Sequence, residues 1–471
     1  MFSVNEIVEA TGGKLIQGNL RNKLAGISTD SRKLNNQDAF LALRGNNFDG
    51  HDFIFPALKS GAACVIAEKT SGLTIPKGLA LIQVKNTTLA LGDIARFQRQ
   101  KFNLPVIAVT GSNGKTTVKE MIAWILSGDA RVLKNEGTKN NQIGLPQTLI
   151  RLKKSDDFAV VEIGTNHFGE VVTLAKIALA NIGIITNIGQ SHLEFLKDLK
   201  GVLKEKSALL NNLAKPALAI LNADDKLLKG IISQEKGPAQ VFSYGIKEKS
   251  DFRASAIKLG DNEVKFKVNR KFDFVLSTPG DYNIYNALAA IAVGRIFGLD
   301  YRKIASRLAG FKFPNGRLNL VEFRGVRFID DTYNSNPLSL SCALKVLSAM
   351  KCKGRKILVM GDMLELGRQK ESLHRQAAGS ITDTCGLLVT VGSLAKLTAK
   401  AACAGGLKSK NIFSCASALE ARDLLFKKII PGADDVVLVK GSRSMKMEEV
   451  FSAFALKRFG GSAEALKREG G

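Results

Sequence analysis

Hydrophobic and polar positions alternate along this chain with a period that changes between segments. The first part has short apolar runs broken by turns, with one helical stretch at residues 53–61. A longer helical pattern at residues 89–100 leads to Pro105. Apolar strands then alternate with helices, which is typical of a mainly parallel sheet covered on both faces. Strands in this part are predicted at 158–163, 182–186 and 218–221.

A second series of alternating strands and helices begins after the turn Pro314-Asn315-Gly316. Just before it, residues 264–268 and 272–274 alternate as a half-exposed hairpin does, which predicts a small antiparallel edge sheet. Strands of the second series are predicted at 326–329, 356–360, 387–391 and 436–440.

These patterns predict an α/β protein with three domains, the number that a length of 471 residues also suggests. The first is a small N-terminal α/β domain, the second a P-loop-type, mostly parallel sheet with helices, and the third a doubly wound, Rossmann-like domain. Their predicted extents are 1–85, 86–314 and 315–471.

Composition narrows the class of protein. Hydrophobic residues make up 45% of the chain, enough to bury real cores. No apolar run approaches the ~18 residues of a membrane span, and an N-terminus with Glu6 and Glu9 does not resemble a signal peptide. The six cysteines show no C-x-x-C pair. We therefore expect a cytoplasmic protein with reduced thiols and no stable membrane insertion.

The net charge of +25 permits binding to nucleic acid or to an anionic membrane. The lysines are spread along the chain, however, with no zinc-finger spacing and a single Trp. A basic surface that serves small anionic substrates, with no nucleic-acid partner, is the better interpretation. A compositional bias of the source explains the charge equally well.

Residues 108–118 read A-V-T-G-S-N-G-K-T-T-V and stand between a predicted strand and a predicted helix. Glycines in such a turn let backbone N–H groups approach phosphates, Lys115 supplies a positive charge, and the Thr116 hydroxyl is a ligand for Mg²⁺. Val109 stands where the standard P-loop pattern has Gly, so the loop is a shortened form. The predicted nucleotide-binding residues here are Gly111, Ser112, Asn113, Gly114, Lys115, Thr116 and Thr117.

Four other segments place polar residues near the ends of predicted elements, where ligand sites of α/β proteins lie. Glu162 ends a strand and is either a Mg²⁺ ligand or an ordinary surface carboxylate. His192 follows the next strand, where a ligand and a packed histidine are equally good interpretations. Residues 201–207 look like a solvated helix face. The turn at 330–337 (D-D-T-Y-N-S-N-P) has more polar groups than a turn requires.

Together with two further segments, these motifs resemble the ATP-dependent Mur ligases of peptidoglycan synthesis over nearly the full chain. T-G-S-N-G-K-T-T resembles the ATP loop of that family, and residues 138–146 (T-K-N-N-Q-I-G-L-P) resemble its loop for the muramoyl substrate. Residues 280–287 (G-D-Y-N-I-Y-N-A) resemble a segment whose asparagines lie at the adenine, with Tyr282 where many members have His.

Three stretches resemble the branch of the family that adds a dipeptide. They are the turn at 330–337, in which Ser335 replaces the usual Ala, G-D-M-L-E-L-G at 361–367, and K-G-S-R at 440–443. The D-N-P-R motif of the diaminopimelate-adding branch is absent. This resemblance implies two substrates besides ATP, UDP-N-acetylmuramoyl-tripeptide and D-Ala-D-Ala.

The resemblance also implies roles for individual residues. Lys115, Lys206, His192 and Asp331 are expected to be catalytic, with two Mg²⁺ ions held by Thr116, Glu162, His192 and a CO₂-derived carbamate on Lys206. Lys204 is the alternative position for the carbamate. Further nucleotide contacts are expected from Asn283, Asn286, Arg317, Asp331 and Tyr333. Substrate contacts are expected from Ser31, Arg32, Arg44, Gly45, Asp49, His51, Thr138, Asn140, Asn141, Asn334, Asn336, Lys440, Ser442 and Arg443.

The implied reaction joins a carboxylate to an amine through an acyl phosphate, with ATP as the source of the phosphoryl group, in a protein that acts as a monomer. Placing Arg317 and Asp331 on a domain separate from the ATP loop implies domain closure. Two enzymatic alternatives stay open: a Mur ligase that adds a single amino acid, and a ligase of the folyl-polyglutamate synthetase type. An ATP-switched nucleic-acid-binding protein, suggested only by the charge, is the alternative from another class.

Overall fold

The computed structural model describes residues 2–45, 48–233, 239–323 and 325–452. The last part of the predicted third domain, residues 453–471, lies outside the described residues. Three sheets of five, nine and six strands, and one two-stranded sheet, organise the chain.

The N-terminal segment contains the five-stranded sheet, in the order β2-β7-β6-β5-β4, and the pair β1-β3. Only β2 is antiparallel to its neighbour in the larger sheet. The segment consists of β1 (Phe2–Ser3), α1 (Val4–Thr11), β2 (Lys14–Gln17), β3 (Lys23–Leu24), β4 (Ile27–Ser28), β5 (Ala39–Leu41), α2 (Ile54–Lys59), β6 (Cys64–Ala67), β7 (Ala80–Gln83) and the following helix α3 (Thr87–Gln100).

The nine-stranded sheet has the order β16-β15-β14-β13-β12-β11-β8-β10-β9, parallel from β9 to β14 and antiparallel at β15 and β16. Its elements are β8 (Val106–Thr110), α4 (Lys115–Ser127), β9 (Val132–Lys134), α5 (Gly144–Leu149), β10 (Phe158–Glu162), α6 (Glu170–Ala178), β11 (Ile182–Ile185), α7 (Leu193–Leu196), α8 (Leu199–Asn211), β12 (Leu218–Asn222), α9 (Lys226–Ile232), β13 (Gln240–Gly245), β14 (Phe252–Leu259), β15 (Val264–Val268), β16 (Phe272–Leu276), α10 (Tyr282–Ile296) and α11 (Tyr301–Ala309).

The six-stranded sheet has the order β17-β18-β22-β19-β20-β21, with β17 as an antiparallel edge strand and the rest parallel. Its elements are β17 (Asn319–Phe323), β18 (Val326–Asp331), α12 (Pro337–Ala349), β19 (Lys356–Gly361), α13 (Lys370–Thr384), β20 (Leu387–Val391), α14 (Ala395–Ala404), β21 (Ile412–Cys415), α15 (Ala418–Leu424) and β22 (Val436–Lys440).

The position of β8 determines where a ligand can bind. All five of its residues are buried, because β10 and β11 pair with it on either side and helices cover both faces. The carboxyl ends of β8, β10 and β11 therefore meet at one edge of the sheet. The turn that follows β18 faces this edge, since Asn336 contacts Asn113 of the loop after β8.

The predicted α/β fold class is confirmed, and the predicted strands are present to within a few residues. The hairpin β15–β16 continues the nine-stranded sheet through β14 instead of forming a sheet of its own. Each large sheet lies within one of the three predicted segments, while the boundaries near residues 85 and 314 stay predictions. None of the described helices is long and apolar enough to span a bilayer.

Candidate active site

A cavity of about 770 Å³ lies between the carboxyl edge of the nine-stranded sheet and the corresponding edge of the six-stranded sheet. Its wall brings together residues that are far apart in the sequence. The predicted site residues that line it are Ser112, Asn113, Gly114, Lys115, Thr116, Thr117, Thr138, Asn140, Glu162, His192, Asn286, Arg317, Asp331, Tyr333, Asn334, Asn336, Lys440, Ser442 and Arg443.

The loop between β8 and α4 has the shape of a phosphate cradle. Gly111 and Gly114 both have positive φ, at 139° and 83°. A Cβ on Gly114 would lie 2.4 Å from Asn286 Oδ1, so Gly is required both for the backbone conformation and for this close approach. Helix α4 begins at Lys115, which directs its N-terminal N–H groups and their partial positive charge toward the cavity.

Lys115 is held inside this loop. Its Nζ donates to the Gly111 carbonyl at 2.9 Å and to the Ser112 carbonyl at 3.3 Å. Burial lowers the pKa of the Lys115 ammonium; Glu162 opposes this shift and Arg317 adds to it. Two cations thus share a site with one carboxylate, an arrangement suited to a polyanionic ligand.

Glu162 organises the acidic side of the cavity. Its carboxylate is 1% exposed and accepts hydrogen bonds from Thr116 Oγ1 and Asn140 Nδ2, both at 2.7 Å. Arg317 Nη2 donates to the same Thr116 hydroxyl at 2.8 Å. Hydroxyl and carboxylate oxygens beside a phosphate loop are the donor set that Mg²⁺ prefers.

Lys119, four residues after Lys115 on α4, is a buried lysine that sequence reasoning missed. Its side chain is fully buried, and its Nζ bonds to the carbonyls of Asn135 and Gly137 at 2.5 and 3.2 Å and to Glu120 Oε1 at 2.8 Å. The bonded carbonyls belong to the segment that leads to Thr138 and Asn140. The helix after the phosphate loop therefore also holds the neighbouring wall of the cavity.

Lys206 lies on α8, is 1% exposed and does not line the cavity. Burial is the main cause that lowers its pKa well below the usual value; Lys115 adds to the shift, and Glu205 and Glu162 oppose it. The Glu205 carboxylate is already bonded to the backbone N–H groups of Gly169 and Val171 at 2.8 Å. Lys204, the alternative position, is exposed.

His192 reaches the cavity from the start of α7, where its backbone has a φ of 54°. Its Nδ1 lies 2.6 Å from Glu365 Oε2, which comes from the six-stranded part of the molecule. Burial lowers the pKa of His192, and the bond to Glu365 opposes the shift. Glu365 belongs to the G-D-M-L-E-L-G stretch, but the sequence of that stretch does not indicate that Glu365 contacts His192.

Two further pairs of side chains, Asn113–Asn336 and Thr116–Arg317, form hydrogen bonds across the cavity in addition to His192–Glu365. Asn336 Nδ2 donates to Asn113 Oδ1 at 2.8 Å, and Arg317 reaches Thr116 while its guanidinium stacks 4.1 Å from the Tyr333 ring centre. The two parts of the molecule therefore enclose the cavity from both sides, the geometry that excludes water from a reacting phosphoryl group.

Lys440 and Asp331 form a buried ion pair on the side of the six-stranded sheet. The Lys440 side chain is 1% exposed, and its Nζ lies 2.5 Å from Asp331 Oδ2 and 2.9 Å from the Asn334 carbonyl. The pair ties the end of β22 to the turn after β18, so it holds Tyr333 to Asn336 in place.

Replacing Asp331 with Ala is expected to destabilise the protein by about 3–5 kcal/mol, because Lys440 is left buried without its counter-charge. Urea unfolding followed by circular dichroism measures this change. The matched control is Asp423→Ala, which removes partly exposed pairs with Arg422 and Lys427 and is expected to cost about 1 kcal/mol or less. Equal losses in the two variants would contradict the structural role of the buried pair.

The side chains predicted to contact adenine are joined to one another by hydrogen bonds beneath the cavity. Asn286, which lines the wall, donates to Asn283 Oδ1 at 2.9 Å, and Asn283 donates to the Tyr282 hydroxyl at 2.6 Å. Asn283 is 1% exposed and supports the wall without lining it. Asp224, missed by sequence reasoning, also lines the wall and accepts a bond from the Tyr285 hydroxyl at 2.8 Å.

The substrate residues predicted in the N-terminal segment do not line this cavity. Three of them contact one another: His51 Nδ1 lies 2.6 Å from Asp49 Oδ1, and Arg44 Nε lies 3.4 Å from Asp49 Oδ2. Arg32 pairs with Asp30. Ser31 opens a short 3-10 turn, Gly45 precedes the two undescribed residues 46 and 47, and Asn141 caps the start of α5.

A phosphate cradle facing a second α/β unit across a cavity defines an ATP-dependent ligase of the Mur type, and the chain belongs to the Mur ligase family. Models of the Mur ligase family catalytic domain, the Mur ligase middle domain and the Mur ligase glutamate ligase domain match residues 23–99, 109–294 and 316–443. The family predicted from the motifs is thereby confirmed.

Similar proteins within the family are D-alanyl-D-alanine-adding ligases. The UDP-N-acetylmuramoyl-tripeptide–D-alanyl-D-alanine ligase of Bacillus subtilis is 34% identical over 93% of this chain and 96% of that protein. The Escherichia coli enzyme of the same name is also 34% identical, over 96% and 98%. A crystal structure of MurF from Acinetobacter baumannii matches with a TM-score of 0.87, 30% identity and coverage of 97% and 99%. The structure of MurF from Thermotoga maritima, solved in complex with ADP, matches with a TM-score of 0.80 and 26% identity, over 91% of this chain and 96% of that chain.

Proposed function

We propose that the chain joins D-Ala-D-Ala to UDP-N-acetylmuramoyl-tripeptide, with cleavage of ATP to ADP and phosphate. The observation that carries this proposal is the cavity, which places the phosphate loop opposite the polar turn at 331–336 and the cation of Lys440. The names of the relatives support the dipeptide as the second substrate.

ATP occupies the side of the nine-stranded sheet in this proposal. The backbone N–H groups of the loop from Gly111 to Thr117 and the Lys115 ammonium hold its phosphates, and Arg317 adds a second cation from the opposite wall. Asn286, supported by Asn283, faces the adenine, and Tyr333 holds the Arg317 guanidinium by stacking. Asp331 fixes Lys440 beside them.

The residues present fit Mg²⁺. Thr116 and Glu162 supply oxygen ligands beside the phosphate loop, and His192 supplies a ring nitrogen from the next strand end. Among the described residues, no three His, Cys, Asp or Glu side chains gather as a metal site. A carbamate on Lys206 adds an anionic oxygen, and the burial that lowers the pKa of this amine favours the neutral form that reacts with CO₂. Bound Mg²⁺ neutralises charge on the phosphates.

The chemistry proceeds in two steps across this cavity. The tripeptide carboxylate attacks the γ-phosphorus of ATP, ADP leaves, and an acyl phosphate forms. The amine of the dipeptide then attacks the acyl carbon. The bond between that carbon and the phosphate oxygen breaks, phosphate leaves with the electron pair, and the proton lost by the amine ends on the phosphate as HPO₄²⁻. Lys115 stabilises the charge on the transferring phosphoryl group, while Thr138, Asn140 and Asn141 hold the muramoyl end of the acceptor.

Further parts of the proposal concern the rest of the molecule. In this proposal the UDP-sugar is bound by Ser31, Arg32, Arg44, Gly45, Asp49 and His51. The N-terminal segment that carries them is linked to α5 by the bond from Gln147 Nε2 to Thr29 Oγ1 at 2.7 Å. The domain extents 1–85, 86–314 and 315–471 correspond to UDP-sugar, ATP and ligase functions. The protein acts as a monomer in the cytoplasm, with no nucleic-acid partner.

The test is ATP-dependent phosphate release with the muramoyl tripeptide, with and without D-Ala-D-Ala. Tripeptides with Lys and with diaminopimelate at the third position are both supplied. We expect phosphate release to need the dipeptide and one of the two tripeptides. A response to a single amino acid in place of the dipeptide would favour the other Mur branches, and a response to a folate substrate would favour the folyl-polyglutamate type. Salt-dependent binding to DNA or RNA without phosphate release would contradict a ligase.

A further inference from the structure

One polar group in the cavity wall makes no hydrogen bond. Ser335 is 4% exposed and lines the cavity, yet its Oγ has no partner among the residues that the structure describes. A buried hydroxyl without a partner is costly, because folding removes it from water without compensation. Such a group at the wall of a site indicates a bond that is made with a ligand.

The surroundings of Ser335 leave only its hydroxyl free. Its backbone N–H donates to Asn334 Oδ1 at 2.8 Å, and its carbonyl accepts from the Ser442 hydroxyl at 3.5 Å. The Ser442 hydroxyl is itself fixed by the Leu364 N–H at 2.8 Å. The backbone of Ser335 is therefore held in place by bonds on both sides, while its hydroxyl oxygen is buried and unbonded beside the cavity.

The chemistry of this wall fits an anion. The Lys440 ammonium lies beside the same turn, where it pairs with Asp331 and also donates to the Asn334 carbonyl at 2.9 Å. Arg443 also lines the cavity, and its exposed guanidinium pairs with Glu448 at 2.7 Å. These groups belong to the six-stranded sheet, whereas the phosphate loop belongs to the opposite wall. Arg317 is the cation of this side that the proposed function assigns to the triphosphate, which leaves Lys440 and Arg443 for a second anion. In the proposed reaction, the substrate that brings one here is the dipeptide, through its terminal carboxylate.

We propose that the Ser335 hydroxyl donates a hydrogen bond to the carboxylate of the incoming dipeptide and so helps to select a substrate with a free C-terminus. This inference rests on the proposed function. It assigns a binding role to Ser335, a residue that has no individual role in the proposed reaction. The bond adds to the attraction of Lys440 and orients the amine for attack.

The experiment combines Ser335→Ala with a change in the substrate. Removing a hydroxyl that makes no bond in the protein leaves the thermal midpoint unchanged or higher. We expect the KM for D-Ala-D-Ala to rise about 10-fold, with the KM for ATP and for the muramoyl tripeptide unchanged. Ser341→Ala, on helix α12 away from the cavity wall, is the matched control and leaves all three values unchanged.

D-Alanyl-D-alaninamide, which lacks the carboxylate, identifies the atom that is bound. Amidation is expected to lower kcat/KM in both proteins. The factor of this loss is expected to be about 5 times larger, or more, in the unchanged protein than in Ser335→Ala, because the variant has already lost the bond to the carboxylate. Equal factors in the two proteins, an unchanged KM for the dipeptide, or an increase confined to the KM for ATP would each overturn the inference. Absence of dipeptide-dependent phosphate release in the unchanged protein is a different result, because it contradicts the proposed function itself.

Discussion

Replacing Lys115 with Ala is expected to lower the rate of phosphate release about 10³-fold or more. The Nζ of this residue is the cation inside the phosphate loop, held between the Gly111 and Ser112 carbonyls. Its positive charge offsets the negative charge that develops on the transferring phosphoryl group, and the alanine variant has no cation at this point of the loop.

Phosphate release with both substrates at saturation measures this effect, since a lower rate at saturation separates loss of chemistry from loss of binding. The control is Lys176→Ala, an exposed lysine on α6, which is expected to leave the rate unchanged. The thermal midpoint of Lys115→Ala shows whether the fold is kept. A folded variant with near-normal dipeptide-dependent turnover would refute the assignment of this loop.

Replacing Lys206 with Met is expected to lower the rate about 10²-fold, because the variant keeps the buried volume but loses the proposed carbamate. The carbamate is observed directly as a ¹³C signal after incubation with ¹³C-bicarbonate. We expect the signal in the unchanged protein and none in Lys206→Met. The depressed pKa of Lys206 makes the neutral amine available at lower pH than for an ordinary lysine. Acidification nevertheless protonates the amine and removes the signal, and activity is lost in parallel.

Lys204→Met is the matched control, since Lys204 lies two residues away on the same helix but is exposed. It is expected to keep both the signal and the activity. A signal that survives in Lys206→Met and disappears in Lys204→Met would transfer the carbamate to the alternative position. An active Lys206→Met protein without a signal would contradict a functional carbamate altogether.

The parts of the site that depend on local sequence could be predicted. Lys115 and Thr116 follow a buried strand and a glycine turn, and Glu162 ends the next parallel strand, so their meeting at one sheet edge follows from topology. The segment around Lys206 was harder, because alternate lysines suggest a solvated face. Buried Val202, Lys206 and Leu209 in fact share the inner face of α8 at helical spacing.

Partners brought together by tertiary packing could not be predicted. Glu365 meets His192 across 173 residues of sequence, and no local pattern encodes which carboxylate that histidine faces. Lys119 was missed because it occupies a helix position where lysine is ordinarily solvated, and only the path of the 135–137 backbone explains its burial. At the turn after β18, the excess of polar residues was visible, but the strand continues through Asp331 instead of ending before it.

The buried bonds of Lys119 have a mechanical consequence. Helix α4 presents the phosphate loop at its first turn and, through Lys119, holds the 135–137 backbone one turn later. The phosphate loop and the 135–137 backbone are therefore anchored to the same rigid helix, and we expect them to keep their separation when the helix shifts. A fixed separation of two ligand-binding walls is the condition for holding two reactants at a constant distance.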